Sequence, residues 1–123
     1  MKVISSWDDA GVGDLRLAEL MENYNIPTVF NWPVNLEKSK NVGRVGKFLT
    51  LEQCKEIAKV HEVGSHTLTH QWLTKINTKQ ARNEIFESRK FWQDETGQEV
   101  KSLCYPRGYT NALVIILVKN AGY

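Results

Sequence analysis

The chain alternates short apolar runs with longer segments of helical periodicity, and this alternation limits its fold more than any other feature. Residues 3–7 have the length and apolar character of a short buried strand, and 28–32 predict a second strand after Pro27. Residues 102–105 predict a further strand. Strands that alternate with helices are typical of a parallel sheet with helices packed against it. We therefore expect a single α/β domain over residues 1–123.

Local signals place the ends of two of the expected helices. Thr50 and Gln53 form a capping box for the second helix. The third helix is expected to begin at Asn77 or Thr78 and to end before Gly97, since glycine favours helix C-termini. The expected inner faces are Ala81, Ile85 and Trp92 on the third helix, and Leu17, Leu20, Met21 and Tyr24 on the first.

Two acids directly follow the first predicted strand, and two histidines lie four residues apart later in the chain. Asp8 and Asp9 are expected at the carboxyl end of a strand, where open α/β sheets and β/α barrels collect their ligands. His66 and His70 are one helical turn apart, which lets both rings reach one centre. One carboxylate and two imidazoles form a favoured divalent-metal set that leaves positions open for water and substrate. Because successive strand residues point in different directions, the second acid can face the site without binding the metal.

Three segments resemble the motifs of one enzyme family. They are residues 6–9, Ser-Trp-Asp-Asp, residues 62–70, Glu-Val-Gly-Ser-His-Thr-Leu-Thr-His, and residues 103–108, Leu-Cys-Tyr-Pro-Arg-Gly. In order and spacing they resemble the polysaccharide deacetylase family with NodB homology, the fourth family of carbohydrate esterases. Residues 14–20, Asp-Leu-Arg-Leu-Ala-Glu-Leu, resemble a segment typical of one branch of that family, and the resemblance extends over residues 1–123.

The resemblance implies a fold, a cofactor and an activity. The fold would be a partial (β/α) barrel of the NodB-homology type with about four β/α units. The cofactor would be a divalent metal bound by Asp9, His66 and His70, with zinc expected and cobalt, nickel, manganese or iron as alternatives. The activity would be hydrolysis of N-acetyl groups on an amino sugar or polysaccharide. Asp8 would be the general base, and the backbone N–H of Arg107 would help to hold the oxyanion.

The chain departs from the family pattern at three points. Ala10 stands where the family commonly has glycine, in the turn after the two acids. Cys104 stands where many members have an arginine that orients the base. Asp8 therefore needs another partner, for which Arg16 and Arg107 are candidates. The family continues into an Asp-Trp motif and a Leu-x-His motif, whose histidine serves as general acid, and this sequence has neither after the third motif. We therefore expect the C-terminal part of such a domain to be missing, and these residues alone to be a poor catalyst.

Aromatic side chains near the motifs are candidates for contact with a sugar, because an aromatic face packs well against the apolar face of a pyranose. Large aromatics are also the usual material of a protein core, and this alternative stays open for them. Trp92 is expected in the core because of its place on the third helix. The candidates for substrate binding are Trp7, Trp32, Trp72, Tyr105, Pro106 and Tyr109.

The apolar run at 113–118 supports two interpretations. Its residues have strand-like propensity, whereas the family resemblance and a possible N-cap at Asn111 favour a fourth helix. We favour the helix. Because such a helix is apolar on all sides, it must be buried on more than one side, either against further sequence or in a homo-oligomer. The run of six is far too short to span a membrane.

Composition argues against several classes of function. A net charge of +2, with lysines scattered among acids, provides no basic stripe for nucleic acid. The start runs directly into a strand without the features of a signal peptide, so we expect a cytoplasmic protein. Cys54 and Cys104 are too few for a disulfide framework and are expected to be reduced. His61 is expected to be structural or exposed, and residues 35–47 are expected to form a loop over the carboxyl ends of the strands.

Three classes of function remain open. The leading one is metal-dependent N-deacetylation, because the two acids, the two histidines and the third motif occur together. The second is a metal-binding carbohydrate module with weak or no activity, favoured by the missing arginine and general acid. The third is a plain α/β interaction domain, since adjacent acids are common in solvated loops and spaced histidines often arise without a role.

Overall fold

A computed structural model describes residues 2–35 and 48–123, which form a parallel sheet with helices packed on it. Most of the loop predicted at 35–47 lies outside the described residues. The elements, in chain order, are β1 (Ser5–Asp8), α1 (Gly13–Asn23), β2 (Thr28–Trp32), α2 (Leu51–Ile57), β3 (Glu62–Ser65), α3 (Thr78–Thr96), a 3-10 turn (Pro106–Gly108) and α4 (Ala112–Asn120). The predicted α/β character is confirmed.

β2 lies at the centre of the sheet, between β1 and β3, and both strand pairs are parallel. The register places Asp8 beside Asn31 at the carboxyl ends of β1 and β2. The prediction of a strand over 102–105 is wrong in extent. Of these four residues, only Leu103 forms a β-bridge, which is parallel and pairs it with Ser65. The chain turns away directly afterwards, so the ladder cannot continue. The described sheet therefore has three strands and is open, as in part of a β/α barrel.

The first strand differs from its prediction in burial. Val3, Ile4 and Trp7 are 52%, 76% and 43% exposed. The apolar run predicted a buried strand, but in the described residues β1 pairs with β2 alone and lies at the edge of the sheet. β2, by contrast, has partners on both sides and buries Phe30 and Trp32 fully.

The predicted helix ends are confirmed by side-chain caps. Thr50 Oγ1 accepts a hydrogen bond from the Gln53 N–H at 3.2 Å, and Gln53 Oε1 accepts one from the Thr50 N–H at 2.9 Å. Asn77 and Gln80 form the same reciprocal cap on α3. α3 ends at Thr96, and the Gly97 that follows has a φ of 71°, which glycine adopts at the lowest cost.

α4 confirms the helical interpretation of the apolar run. Asn111 Oδ1 accepts a hydrogen bond from the Val114 N–H at 2.9 Å, and this cap outweighs the strand propensity of the run. Val114 and Leu117 are buried in a cluster with residues of α3. The exposed apolar residues of α4 are Leu113, Ile115 and Ile116, at 46%, 38% and 53% exposure. Within the described ranges, no helix combines the length and apolar character needed to cross a membrane.

α1 packs through a face that matches the predicted one only in part, since Leu17 contacts the core. Leu20 and Tyr24 are 39% and 71% exposed, whereas Asp14 and Ala18 are buried. Trp32 Nε1 donates a hydrogen bond to Asp14 Oδ2 at 3.0 Å. This bond connects the first turn of α1 to β2. The predicted face is therefore wrong at two of its four positions.

Aromatic packing and one hydroxyl pair fix α3 against the sheet. The rings of Trp32 and Trp92 have centroids 5.5 Å apart, and Trp92 Nε1 donates a hydrogen bond to the Trp32 carbonyl at 2.8 Å. The hydroxyls of Ser65 and Ser88 are 2.7 Å apart and fully buried. The core position predicted for Trp92 is confirmed, and α3 provides a rigid support behind the loop that follows β3.

Candidate metal centre

The loops that follow β1 and β3 bring together Asp9, His66 and His70. Asp9 Oδ1 lies 3.3 Å from Nε2 of each histidine, and the centroids of the two imidazoles are 4.7 Å apart. The histidine side chains are 4% and 5% exposed, and the Asp9 side chain is 23% exposed. The structure thus places the three predicted ligands around one point, with only the carboxylate partly accessible to solvent.

Four residues with positive φ produce this arrangement. Asp9 and Ala10 have φ of 76° and 52°, and Thr67 and His70 have φ of 72° and 57°. Such a conformation costs a non-glycine residue about 1–3 kcal/mol and persists only where the surroundings impose it. Ala10, at the position where the resemblance expects glycine, therefore adopts the left-handed turn at some cost.

The predicted reason for the convergence of the histidines is wrong, because they do not lie on a helix. Residues 66–70 form an irregular loop after β3. Val34 N–H donates a hydrogen bond to the Thr67 carbonyl at 3.2 Å, and Asn35 N–H donates one to the Leu68 carbonyl at 2.8 Å. The left-handed residues of this loop, held against the segment after β2, turn both rings to the same side.

The carboxylate of Asp9 is kept ionised by its neighbours. The His66 ring, and then the His70 ring, hold the pKa of Asp9 well below its usual range, against the opposing effect of burial. His66 Nδ1 lies 2.8 Å from the Cys104 carbonyl oxygen, which leaves Nε2 for the centre. An ionised carboxylate and two imidazoles are a suitable donor set for a divalent cation.

Two buried atoms of the centre have no hydrogen-bond partner among the described residues, namely Asp9 Oδ1 and His70 Nδ1. Unpaired buried polar atoms are costly and need a physical explanation. A bound ion would explain Asp9 Oδ1, because that atom faces Nε2 of both imidazoles. The spacing also suits a metal, because two atoms bound tetrahedrally to zinc at about 2.0–2.1 Å lie about 3.3 Å apart. Asp9 Oδ1 has that separation from both imidazole nitrogens. The residues present therefore fit a divalent cation.

Asp8 is held by two neutral donors. Asn31 Nδ2 donates to Asp8 Oδ1, and the Cys104 thiol donates to Asp8 Oδ2, each at 3.2 Å. Arg16, one of the two predicted partners of Asp8, instead forms an ion pair with Glu19 at 2.9 Å. An amide and a thiol thus occupy the place that the resemblance gives to an arginine.

Sequence reasoning missed Asn31. Its side chain is buried, and Nδ2 also lies 3.1 Å from Ser6 Oγ. It fits because β3 has a glycine beside it, since a Cβ at Gly64 would lie 2.0 Å from Asn31 Oδ1 and 2.6 Å from Ser102 Oγ. The available signal was a single amide within the apolar run 28–32, together with the glycine of the second motif.

A second group of possible ligands shares His66. Asp8, His66 and Cys104 also place donor atoms within 4.8 Å of one another. Burial, and then the hydrogen bond to Asp8, raise the pKa of the Cys104 thiol to about 12. The set that contains Asp9 and His70 is favoured by its geometry, because Asp9 Oδ1 lies 3.3 Å from Nε2 of both histidines, whereas the Cys104 thiol is bonded to Asp8.

Four of the predicted sugar-contacting side chains have accessible surface. The rings of Trp72 and Tyr109 have centroids 5.1 Å apart, and Tyr109 is 55% exposed. The Arg107 guanidinium carbon lies 6.0 Å from the centroid of the Trp72 ring. Trp7 is exposed at the edge of the sheet, and Tyr105 is half-buried against the cluster between α3 and α4.

Trp32 and Pro106 do not support the predicted substrate contact. Trp32 is fully buried because β2 is the central strand, and its indole N–H is bonded to Asp14. Pro106 is also fully buried and opens the 3-10 turn in which Arg107 has φ of 62°. Pro106 therefore shapes the turn, and the role of the Arg107 N–H toward an oxyanion stays a prediction.

Comparison with known proteins matches residues 2–123 to the family model described as Polysaccharide deacetylase. The peptidoglycan-N-acetylglucosamine deacetylase of Bacillus cereus is 32% identical over 63 residues. That match covers 51% of this chain and 29% of the relative, so the chain corresponds to less than a third of the relative's length.

Solved structures show the same fold. The Streptococcus pyogenes deacetylase PplD, determined in complex with acetate, has a TM-score of 0.81 at 20% identity, over 96% of this chain and 51% of PplD. A CE4-family pseudoenzyme from Bacillus anthracis has a TM-score of 0.73 at 16% identity, over 97% of this chain and 40% of its own. At these identities the likeness concerns the fold alone, and it confirms the predicted partial barrel.

Proposed function

The chain belongs to the polysaccharide deacetylase family, and we propose that it carries the metal centre of a hydrolase that removes N-acetyl groups from an amino sugar or polysaccharide. The main support for the proposal is that Asp9, His66 and His70 place their ligand atoms within 4.8 Å of one another. Zinc is the proposed cation, with cobalt, nickel, manganese and iron as alternatives. The N-acetylglucosamine of peptidoglycan, named for the Bacillus cereus relative, is the first substrate to test.

The chain's own residues divide the remaining chemistry. When bound, the cation polarises the acetyl carbonyl and lowers the pKa of water. Asp8, which is exposed, accepts the proton of the attacking water. Asn31 and Cys104 each hold one oxygen of Asp8 at 3.2 Å, so the base is oriented before substrate arrives. The backbone N–H of Arg107 is the proposed donor to the oxyanion.

Trp72 and Tyr109 form the proposed platform for the sugar. Their rings are tilted by 37° and lie 5.1 Å apart, which provides a continuous aromatic surface beside Arg107. Trp7 is the proposed second contact because it is exposed and directly precedes the two acids. Tyr105, which is half-buried, is proposed to support this surface from below.

Acetate release from N-acetylglucosamine oligomers, with zinc or cobalt added, tests the proposal. We expect weak release that a chelator stops. Asp8→Asn should lower the release by about 10²–10⁴-fold, as is typical when a positioned base is lost. Asp94→Asn is the control, since Asp94 lies on the outer side of α3 in an ion pair with Lys90. Release that persists in Asp8→Asn would contradict the assigned base.

The second candidate is a metal-binding carbohydrate module with weak or no activity. Cys104, which stands in place of an arginine, favours this candidate. It is also favoured because all three histidines of the sequence already have other contacts. His66 and His70 lie in the centre, and His61 is buried with Nε2 at 3.0 Å from the Ala18 carbonyl oxygen. No histidine thus remains to protonate the leaving amine. Binding of the oligomer without any acetate release would favour this candidate.

We further propose that a second copy of the chain covers the exposed apolar face of α4. Leu113, Ile115 and Ile116 form this face, and they would lose contact with water on association. A mass from light scattering that corresponds to two or more chains supports this, and a monomeric mass contradicts it.

A further inference from the structure

The two histidines of the centre are held in different ways. The ring of His66 is oriented directly, since its Nδ1 lies 2.8 Å from the Cys104 carbonyl oxygen. His70 Nδ1 is buried and makes no hydrogen bond to the part of the chain that the structure describes. The backbone of His70 is also in the left-handed region, with φ of 57°. Such a conformation persists only when the surroundings impose it, so a contact other than one to the ring must hold this residue.

Glu84 of α3 contacts the residue that precedes His70. Glu84 Oε2 accepts a hydrogen bond from the Thr69 N–H at 2.7 Å, and Oε1 accepts one from the Thr69 hydroxyl at 2.6 Å. Glu84 is only 7% exposed. Burying a carboxylate is costly unless it is hydrogen bonded, and short bonds to a charged acceptor are strong. The two bonds thus fix both the position and the orientation of Thr69 relative to α3.

The same helix face is tied to the strand before the loop. Ser88 Oγ lies 2.7 Å from Ser65 Oγ, and both residues are fully buried. Positions 84 and 88 are one helical turn apart, so their side chains lie on the same side of α3. The loop at 66–70 is therefore bonded to one face of one helix on both sides, through Ser65 and through Thr69.

We propose that Glu84 is a positioning residue for His70, holding the loop in the conformation that turns the imidazole toward Asp9. The inference rests on the proposed metal centre and deepens it. Glu84 is not itself in the ligand groups formed by the described residues, so it acts through Thr69. Without this carboxylate the ring of His70 has to be ordered when the metal binds, which weakens the binding.

Zinc affinity, measured by competition with a chromophoric chelator, tests the inference. Glu84→Gln keeps the size of the side chain, but its amide offers one acceptor oxygen where two are needed. We expect the dissociation constant for zinc to rise by about 10–100-fold, the range typical of groups that orient a ligand. Thr69→Val removes only the hydroxyl donor, so its effect should have the same direction and be smaller. The double variant should bind zinc only slightly more weakly than Glu84→Gln, because both substitutions act on the same contact between Glu84 and Thr69.

The cobalt-loaded protein provides a second readout. A loss of general stability would lower the melting temperature without changing the visible spectrum of bound cobalt, whereas displacement of His70 should change that spectrum. Glu87→Gln is the matched control, since Glu87 is exposed on the same helix, and it should bind zinc as the wild type does.

The possible failures are distinguishable. A wild-type chain that binds no zinc or cobalt overturns the metal centre itself. Wild-type affinity and an unchanged cobalt spectrum in folded Glu84→Gln overturn only the role of Glu84. If Glu84→Gln does not fold, Thr69→Val decides, and an unchanged dissociation constant for zinc in that variant overturns the inference.

Discussion

The two sides of the metal centre are built in different ways. On the β3 side, Val63, Gly64 and Ser65 are buried, and the loop with both histidines is bonded to α3. On the β1 side, most strand residues are exposed, and Asp9 reaches the centre through a turn of two left-handed residues. The histidines are therefore positioned by a loop that is bonded to a buried helix face, whereas the acids are positioned at an exposed edge of the sheet.

This contrast predicts two kinds of response to substitution. Changes on the β3 side should act on stability and metal affinity, because they disturb buried contacts. Changes on the β1 side should act on metal binding or on the chemistry at small cost in stability, because few buried contacts are lost there. Three substitutions test the contrast, in order of the effect expected.

Asp9→Asn should have the largest effect, because Asp9 is the one residue of the β1 side assigned as a ligand. We expect its zinc affinity to fall by more than the about 10–100-fold typical of groups that only orient a ligand. Asp8→Asn is the matched control and should keep zinc affinity within about twofold of the wild type while losing turnover. Chelator competition measures both, and equal loss in the two variants would show that the roles of the adjacent acids are wrongly assigned.

Gly64→Ala should be the next largest change, and it acts through stability. The added Cβ would lie 2.0 Å from Asn31 Oδ1, inside a buried part of the sheet. Overpacking of this kind costs about 1–3 kcal/mol, which lowers the melting temperature by about 4 °C for each kcal/mol. Gly13→Ala is the control, because a Cβ there meets no atom within 4 Å. A melting temperature for Gly64→Ala equal to that of Gly13→Ala would contradict the claim that changes on the β3 side lower stability.

Cys104→Ala should have the smallest effect of the three, because Asn31 still holds the other oxygen of Asp8. A hydrogen bond to a charged group contributes about 1.5 kcal/mol, so we expect turnover to fall about tenfold with zinc affinity unchanged. Cys104→Ser, which retains a donor, should keep most of the activity. Turnover in Cys104→Ala at the wild-type level would mean that the thiol does not orient the base.

Local patterns allowed much of the fold to be predicted, while contacts between distant segments could not be. The capping residues Thr50 and Asn77 act within one turn of their helices, so the sequence reveals them directly. Asn31 meets Asp8 only through the register of two strands, which periodicity does not determine. The inward position of Trp32 likewise depends on β2 being central, and that is a property of the sheet order.

The same limit applies to the metal centre. The spacing of His66 and His70 predicted that the rings converge, but for a helical reason that the structure replaces with a loop. That loop is bonded to Glu84, fifteen residues beyond Thr69, and no local pattern connects these two positions. Residue types near a motif thus indicate the chemistry, whereas the groups that hold them in place come from the fold.

X-ray absorption at the zinc edge, on chain purified without an affinity tag and loaded with zinc, tests the central claim most directly. The account predicts one zinc per chain, with two imidazole nitrogens and carboxylate or water oxygens at about 2.0–2.2 Å. Asp9, His66 and His70 would supply the protein ligands. A sulfur atom at about 2.3 Å from the zinc would instead place Cys104 in the ligand set, and it would contradict the assignment of the centre.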